Sequence, residues 1–271
     1  MLPATNSARP LPCLRPVSVL PFPSPDSAAD ARRERRARRS GPRPARVEID
    51  RAFWLWVITG LVFTCLVGVV YAHYLKRTYG WSHGTAWERV LLVDLHTPLP
   101  YLLDRFVLFL PWLGTNLTIL PGIAVASYFL WKRNRRDLVV VLVVAAAGNY
   151  IVSFLLKYPL DRPRPTLFEA RGEYTGPSFP SGHAMLATSV LFVVAYLLKR
   201  ERDWNWPYVV ILVFGPLTVY SRLYLGVHWP TDVIAGGILG VLWLFAMLHA
   251  MDARREELVN FGRRARAGEI P

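Results

Sequence analysis

Three short segments in the second half of the chain hold side chains that could do chemistry together. The first runs Lys157-Tyr-Pro-Leu-Asp-Arg-Pro-Arg164-Pro165, the second is Pro180-Ser181-Gly182-His183, and the third is Ser221-Arg222 followed by His228 and Asp232. They bring three fixed cations, two histidines, and a carboxylate four residues after one of those histidines. That inventory suits attack on a phosphate ester. Ammonium and guanidinium groups hold phosphoryl oxygens and neutralise the charge that develops on them. One imidazole can attack phosphorus while a second protonates the leaving oxygen. A carboxylate four residues after His228 can reach back to one ring nitrogen, fix the tautomer and leave the other nitrogen free to attack.

Local sequence says how each group could be held. Lys157 ends an apolar run, where a lysine by itself is usually a snorkelling anchor. Pro159, Pro163 and Pro165 stiffen the stretch that carries Arg164, and Arg162 is a further cation there. Ser181 is a good helix cap, and Gly182 allows a ligand to approach the backbone. A helix starting there would offer free N–H groups to a phosphate, with His183 in its first turn. Pro230 favours a helix beginning just before Asp232.

The elements that must position these groups are apolar. The chain has 271 residues, 53% of them hydrophobic, and a net charge of +13. Six apolar runs stand out: Phe53–Ala72, Phe106–Trp131 broken by Pro111 and Pro121, Leu138–Leu156, Ser181–Leu198, Pro207–Tyr220 and Val233–Met251. Runs of this length span about 30 Å of hydrocarbon. The expected architecture is an all-α integral membrane bundle of six helices over residues 51–251. It is preceded by a disordered Pro/Arg-rich tail over 1–50 and followed by a basic tail over 252–271. The first 50 residues hold ten Arg against five acids, a topology signal and not a nucleic-acid footprint. Cys13 and Cys65 are the two cysteines. They build neither a disulfide framework nor a zinc site, and no other metal site or cofactor motif is evident.

Flanking charge orients the runs. The basic tail, Lys132 with Arg133, Arg135 and Arg136, then Lys199 with Arg200 and Arg202, and finally Arg254, Arg255, Arg263, Arg264 and Arg266 all fall on one side of a six-span chain. That side is expected to be cytoplasmic, with both termini, and the three motif segments then share the periplasmic or extracellular side of the cell membrane. Residues 75–110 link the first two runs on that outer side. Over 87–95 they alternate apolar and charged residues, as either an interfacial amphipathic helix or a connecting loop would. Gly236 and Gly240 form a GxxxG pair that could pack within or between chains, and the oligomeric state is left open.

Lys-x6-Arg-Pro, Pro-Ser-Gly-His and Ser-Arg-x5-His-x3-Asp occur in this order, each at the boundary of an apolar run. Over about residues 52–250 the chain resembles the type 2 phosphatidic acid phosphatase family, which includes bacterial phosphatidylglycerophosphate and undecaprenyl diphosphate phosphatases. The resemblance implies a metal-independent hydrolase acting on a lipid phosphate in the bilayer. It makes His228 the nucleophile that forms a phosphohistidine, Asp232 the group that orients it, and His183 the general acid and then base. Lys157, Arg164 and Arg222 would bind phosphate with Ser181 and the Gly182 backbone, without cofactor or metal. Three other readings differ in outcome. A lipid phosphotransferase would use the same phosphoenzyme, the vanadium haloperoxidase relatives share the motifs but are soluble, and an inactive membrane scaffold would keep only the fold.

Overall fold

The structure, a computed structural model, describes residues 45–79, 81–171, 174 and 176–266. Residues 1–44 of the tail predicted over 1–50, and the end of the C-terminal tail, 267–271, lie outside them. Among the described residues every regular element is helical. In chain order these are α1 (Arg51–Tyr79), α2 (Ala86–Leu95), α3 (Tyr101–Phe109), a 3-10 segment (Leu110–Gly114), α4 (Asn116–Lys132), α5 (Arg136–Leu160), α6 (Gly182–Thr188), α7 (Val190–Arg202), α8 (Trp206–Tyr224) and α9 (Pro230–Arg266).

Five of these elements are long and apolar enough to cross a membrane: α1, α5, α6 with α7, α8, and the first part of α9. A sixth span results if α3 and α4 are taken as one broken helix, bent by 56°. The bend sits where the sequence places Pro111, in the 3-10 segment, because proline removes a helix hydrogen bond and clashes with the preceding turn. Pro121 is tolerated inside α4. The run beginning at Ser181 is also two helices, joined at Ser189.

Helix α9 packs along α1 and α6, and α5 packs against α1 and α4. Lipid tails are as apolar as the interior, so such helices associate through close packing and small residues, with no bulk hydrophobic drive. The predicted GxxxG pair serves this purpose within the chain. A Cβ on Gly236 would collide with the Ser181 carbonyl, and one on Gly240 would stand 2.6 Å from the Met185 carbonyl. The absence of side chains there lets α9 lie against α6, which brings Asp232 next to Ser181. Leu156, Met185, Leu239 and Trp243 belong to the shared core, while Leu55, Val62, Leu66 and Val70 of α1 are exposed where lipid would lie.

The end of the bundle opposite the motif segments is basic, but its cations are not all free anchors. Arg135 is buried, bonded to Asp137 at 2.9 Å and paired with Glu201. Residues 45–47, assigned to the tail by the sequence, are tied there too: the Val47 N–H donates to Asp137 at 2.9 Å and Arg200 donates to the Ala45 carbonyl at 2.6 Å. Helix α9 runs on past Met251 to Arg266.

Candidate active site

All three motif segments meet at one end of the bundle. Helix α5 ends there because Asp161 adopts a left-handed conformation (φ 44°) and its N–H bonds the Lys157 carbonyl at 2.9 Å. The loop that follows is tied to the other two segments. Arg164 Nη1 donates to the Val227 carbonyl at 2.6 Å, and Trp229 Nε1 to the Pro163 carbonyl at 3.0 Å. The Ser181 N–H donates to the Asp232 carbonyl at 3.0 Å. Long-range bonds of this kind, and not local propensity, set the distances between the motifs.

Asp232 lies in the first turn of α9, where its carboxylate reaches back to cap the helix by accepting the Trp229 N–H at 2.8 Å. It is fully buried. Its Oδ2 also accepts from the Ser178 hydroxyl, and its Oδ1 accepts from Arg162 Nη1 at 2.7 Å. His228 Nδ1 stands 3.7 Å from Oδ2 and 3.5 Å from Ser178 Oγ. The expected carboxylate–imidazole approach is therefore present but longer than a hydrogen bond, with the Ser178 hydroxyl beside both groups. Nδ1 faces this acidic side, so Nε2 points away from it. His228 is buried, and its pKa is pushed well below the ordinary imidazole range, first by burial and then by the charges of Arg222, Lys157 and Arg164 and by His183. Both effects favour the neutral imidazole, the form that can attack an electrophile.

Arg222 lies in the last turn of α8 with 2% of its surface exposed, and its Nε and Nη1 have no hydrogen-bond partner. The Ser181 hydroxyl is buried and likewise unpartnered, making no cap bond to α6. Buried donors are rarely left unpaired, so these atoms mark a place for an anion. Arg164 is held below its ordinary pKa by burial and then by the neighbouring Arg222 charge. Lys157 donates to the Pro177 carbonyl at 2.8 Å and keeps donors in reserve, since an ammonium has three. Gly182 opens α6, so its N–H has no intrahelical partner.

His183 enters from the same helix start, and its contact was not foreseen. Its Nε2 lies 3.1 Å from the Pro111 carbonyl of the 3-10 segment. A carbonyl can only accept, so the proton is on Nε2. Sequence reasoning also passed over Ser178, for which no spacing gives a signal, and Tyr174, whose ring lies 4.6 Å from the Arg222 guanidinium and 5.7 Å from that of Arg164. Arg162 was read as one more cation near the site. It proves to be bonded to Asp232 instead of facing the unpaired donors.

The family model described as the PAP2 superfamily matches residues 138–256, which include all three segments. Phosphatidylglycerophosphatase B of Bacillus subtilis (strain 168) is 33% identical over 149 residues, covering 52% of this chain and 71% of that protein. An undecaprenyl-diphosphatase of Sulfolobus acidocaldarius is 30% identical over 145 residues, covering 51% of this chain and 66% of its own length. Among solved structures, the transmembrane PAP2-type phosphatidylglycerolphosphate phosphatase from Bacillus subtilis superposes with a TM-score of 0.59 at 26% identity, over 69% of this chain and 93% of that one. With the sequence match to phosphatidylglycerophosphatase B, this likeness makes the chain a multi-pass membrane member of the PAP2 superfamily, in its lipid phosphatase branch.

Proposed function

We propose that the protein hydrolyses a phosphate monoester or diphosphate of a lipid, through a phosphohistidine on His228 and without a metal ion. The observation that carries this reading is the set of buried, unpartnered donors, Arg222 Nε and Nη1 with Ser181 Oγ, close to a buried His228 on which the charges of Arg222, Lys157 and Arg164 act. A phosphoryl group placed against Arg222, Arg164, Lys157, Ser181 and the Gly182 N–H would satisfy those donors and present phosphorus to His228 Nε2. In the first step the N–P bond forms and the P–O bond to the lipid breaks, with His183 protonating the departing oxygen. In the second, water attacks phosphorus, His183 takes its proton, and the N–P bond breaks. Three fixed cations do the charge neutralisation that Mg²⁺ supplies in other phosphoryl-transfer sites.

Relatives named phosphatidylglycerophosphatase B, undecaprenyl-diphosphatase and lipid A 4'-phosphatase support a lipid phosphate as substrate. The test is phosphate release by the purified protein in excess EDTA, with undecaprenyl diphosphate, phosphatidylglycerol phosphate, phosphatidate and diacylglycerol diphosphate. Release from at least one is expected. Activity lost in EDTA and recovered with one divalent ion overturns the metal-independent mechanism, and phosphate that moves to an added lipid alcohol instead of water makes the enzyme a phosphotransferase.

We further propose that both termini are cytoplasmic and that the site opens on the periplasmic or outer face. The support is the separation of the motif segments at one end of the bundle from Lys132, Arg133, Lys199 and Arg200 at the other. Ser82 and Arg133 are both exposed and stand at opposite ends. In a Cys13→Ser, Cys65→Ser background on intact cells, an impermeant thiol reagent is expected to label Ser82→Cys and spare Arg133→Cys. The reverse pattern inverts the topology.

A further inference from the structure

Helix α2 is turned the opposite way from a simple interfacial helix. Trp87, Val90 and Val93 face outward, while Glu88 has no exposed surface at all. Glu88 closes a capping box with Thr85, but it does more than cap. Its Oε1 accepts from the Thr231 N–H at 3.2 Å and from Thr231 Oγ1 at 2.6 Å, and its Oε2 lies 3.6 Å from Arg162 Nη2. Arg162 is 1% exposed. Its Nη1 forks between Thr231 Oγ1 and Asp232 Oδ1, both at 2.7 Å, and its Nε donates to the Trp81 carbonyl at 3.2 Å. The rings of Trp81 and Trp229 lie 5.2 Å and 5.6 Å from the guanidinium. A chain of buried polar groups thus runs from α2 to the carboxylate beside His228.

Burying one cation and two carboxylates is costly unless every member is paired, and apolar residues could fill the same space. What this arrangement supplies is direction. A guanidinium left alone with a carboxylate tends to bind it bidentately, using both oxygens. Here Glu88 and Thr231 occupy the other donors, so Arg162 meets Asp232 end-on at Oδ1. Oδ2 is left for Ser178, the Trp229 N–H and the approach of His228 Nδ1.

We propose that Glu88 and Arg162 are positioning residues for the reaction at His228, with Glu88 restraining Arg162 so that Asp232 keeps Oδ2 turned toward Ser178 and the imidazole. The proposal rests on the assignment of His228 as nucleophile and Asp232 as its orienting group. It is tested by thermodynamic cycles in the full-length membrane protein, pairing Arg162→Lys and Glu88→Gln each with Asp232→Asn, and reading kcat, KM and the single-turnover rate of phosphoenzyme formation with p-nitrophenyl phosphate.

Each single variant is expected to lower kcat and phosphoenzyme formation on the order of 10–100-fold, the range found where residues orient the ligand side chains of metal sites. KM should stay within about twofold, because no substrate contact is lost. Each double variant should lose no more than Asp232→Asn alone, because residues that act through one another are not additive. Fully additive losses, or a raised KM with unchanged kcat in Arg162→Lys, overturn the proposal while leaving Asp232 in place. Unchanged kcat in Asp232→Asn removes the orienting role itself and the proposal with it. Should Arg162→Lys fail to accumulate in membranes, the Glu88→Gln cycle decides alone, since glutamine keeps an acceptor oxygen for Thr231.

Discussion

Replacing His228 with alanine is expected to remove both turnover and the covalent phosphoenzyme. Deleting the nucleophile of a covalent mechanism typically lowers kcat about 10⁶-fold, because the remaining groups can bind the substrate but have nothing to attack with. The geometry favours this histidine over His183 on two counts. His228 is buried among the cations, and burial first and their charges second push its pKa down, which favours a free lone pair at the point where a phosphoryl group would dock. Its Nδ1 is the nitrogen turned to Asp232 and Ser178, which leaves Nε2 for attack. The decisive readout is acid-labile, base-stable radiolabel on the protein, quenched during turnover of a labelled lipid phosphate. Label on His228 that disappears in His228→Ala supports the assignment. Label on His183, or label that persists in His228→Ala, reverses it.

Much of the fold was legible because its signals are local. Charge-free runs of spanning length announced the apolar helices, and Pro111 marked the break that the structure resolves into the bend between α3 and α4. Pro230 marked the start of α9. What the sequence could not supply was partnership at a distance. Glu88, Arg162 and Asp232 are brought together from α2, the loop after α5 and the first turn of α9, and no periodicity connects positions so far apart. Glu88 therefore read only as one of the charged residues alternating with apolar ones over 87–95, whereas it is buried against Thr231. Ser178 was invisible for a related reason: a lone serine two residues before a cis Pro180 has no spacing that distinguishes it from a loop residue. The candidate site itself was legible because its chemistry is carried by residue types, three cations and two imidazoles, that have few other reasons to stand at the ends of apolar helices.

The packing of α6 against α9 gives the site its second requirement, a fixed relation between the two histidines. His183 sits one residue after Gly182 on α6, and Asp232 sits on α9, where the close approach at Gly236 places the Ser181 carbonyl against the facing helix. His183 and Asp232 are thus carried on helices that cannot slide past one another without a collision, and His228 stands in the loop two residues before the second of them begins. This suits a reaction in which one ring attacks phosphorus while the other must reach the opposite, departing oxygen.

Replacing His183 with alanine is expected to separate substrates by how much their leaving group needs a proton. A lipid alkoxide is a poor leaving group, and loss of a general acid should slow its departure about 10²–10⁴-fold. The p-nitrophenolate ion leaves without help, so phosphoenzyme formation from p-nitrophenyl phosphate should be far less affected. Hydrolysis of the phosphohistidine still requires water to be deprotonated, the second role proposed for His183. The variant should therefore release a burst of p-nitrophenolate near one equivalent per site and then turn over slowly, with labelled phosphoenzyme accumulating. The neighbourhood makes alanine a fair probe. His183 donates Nε2–H to the Pro111 carbonyl, and a Cβ on Gly114 would stand 2.6 Å from its Cδ2, so the ring fills a gap under the 3-10 segment. Removing it could loosen that segment. His183→Asn, which keeps a donor for Pro111 but cannot exchange a proton, should then behave as alanine does. Equal losses on both substrates without a burst in either variant would show that His183 supports the structure and takes no part in proton transfer.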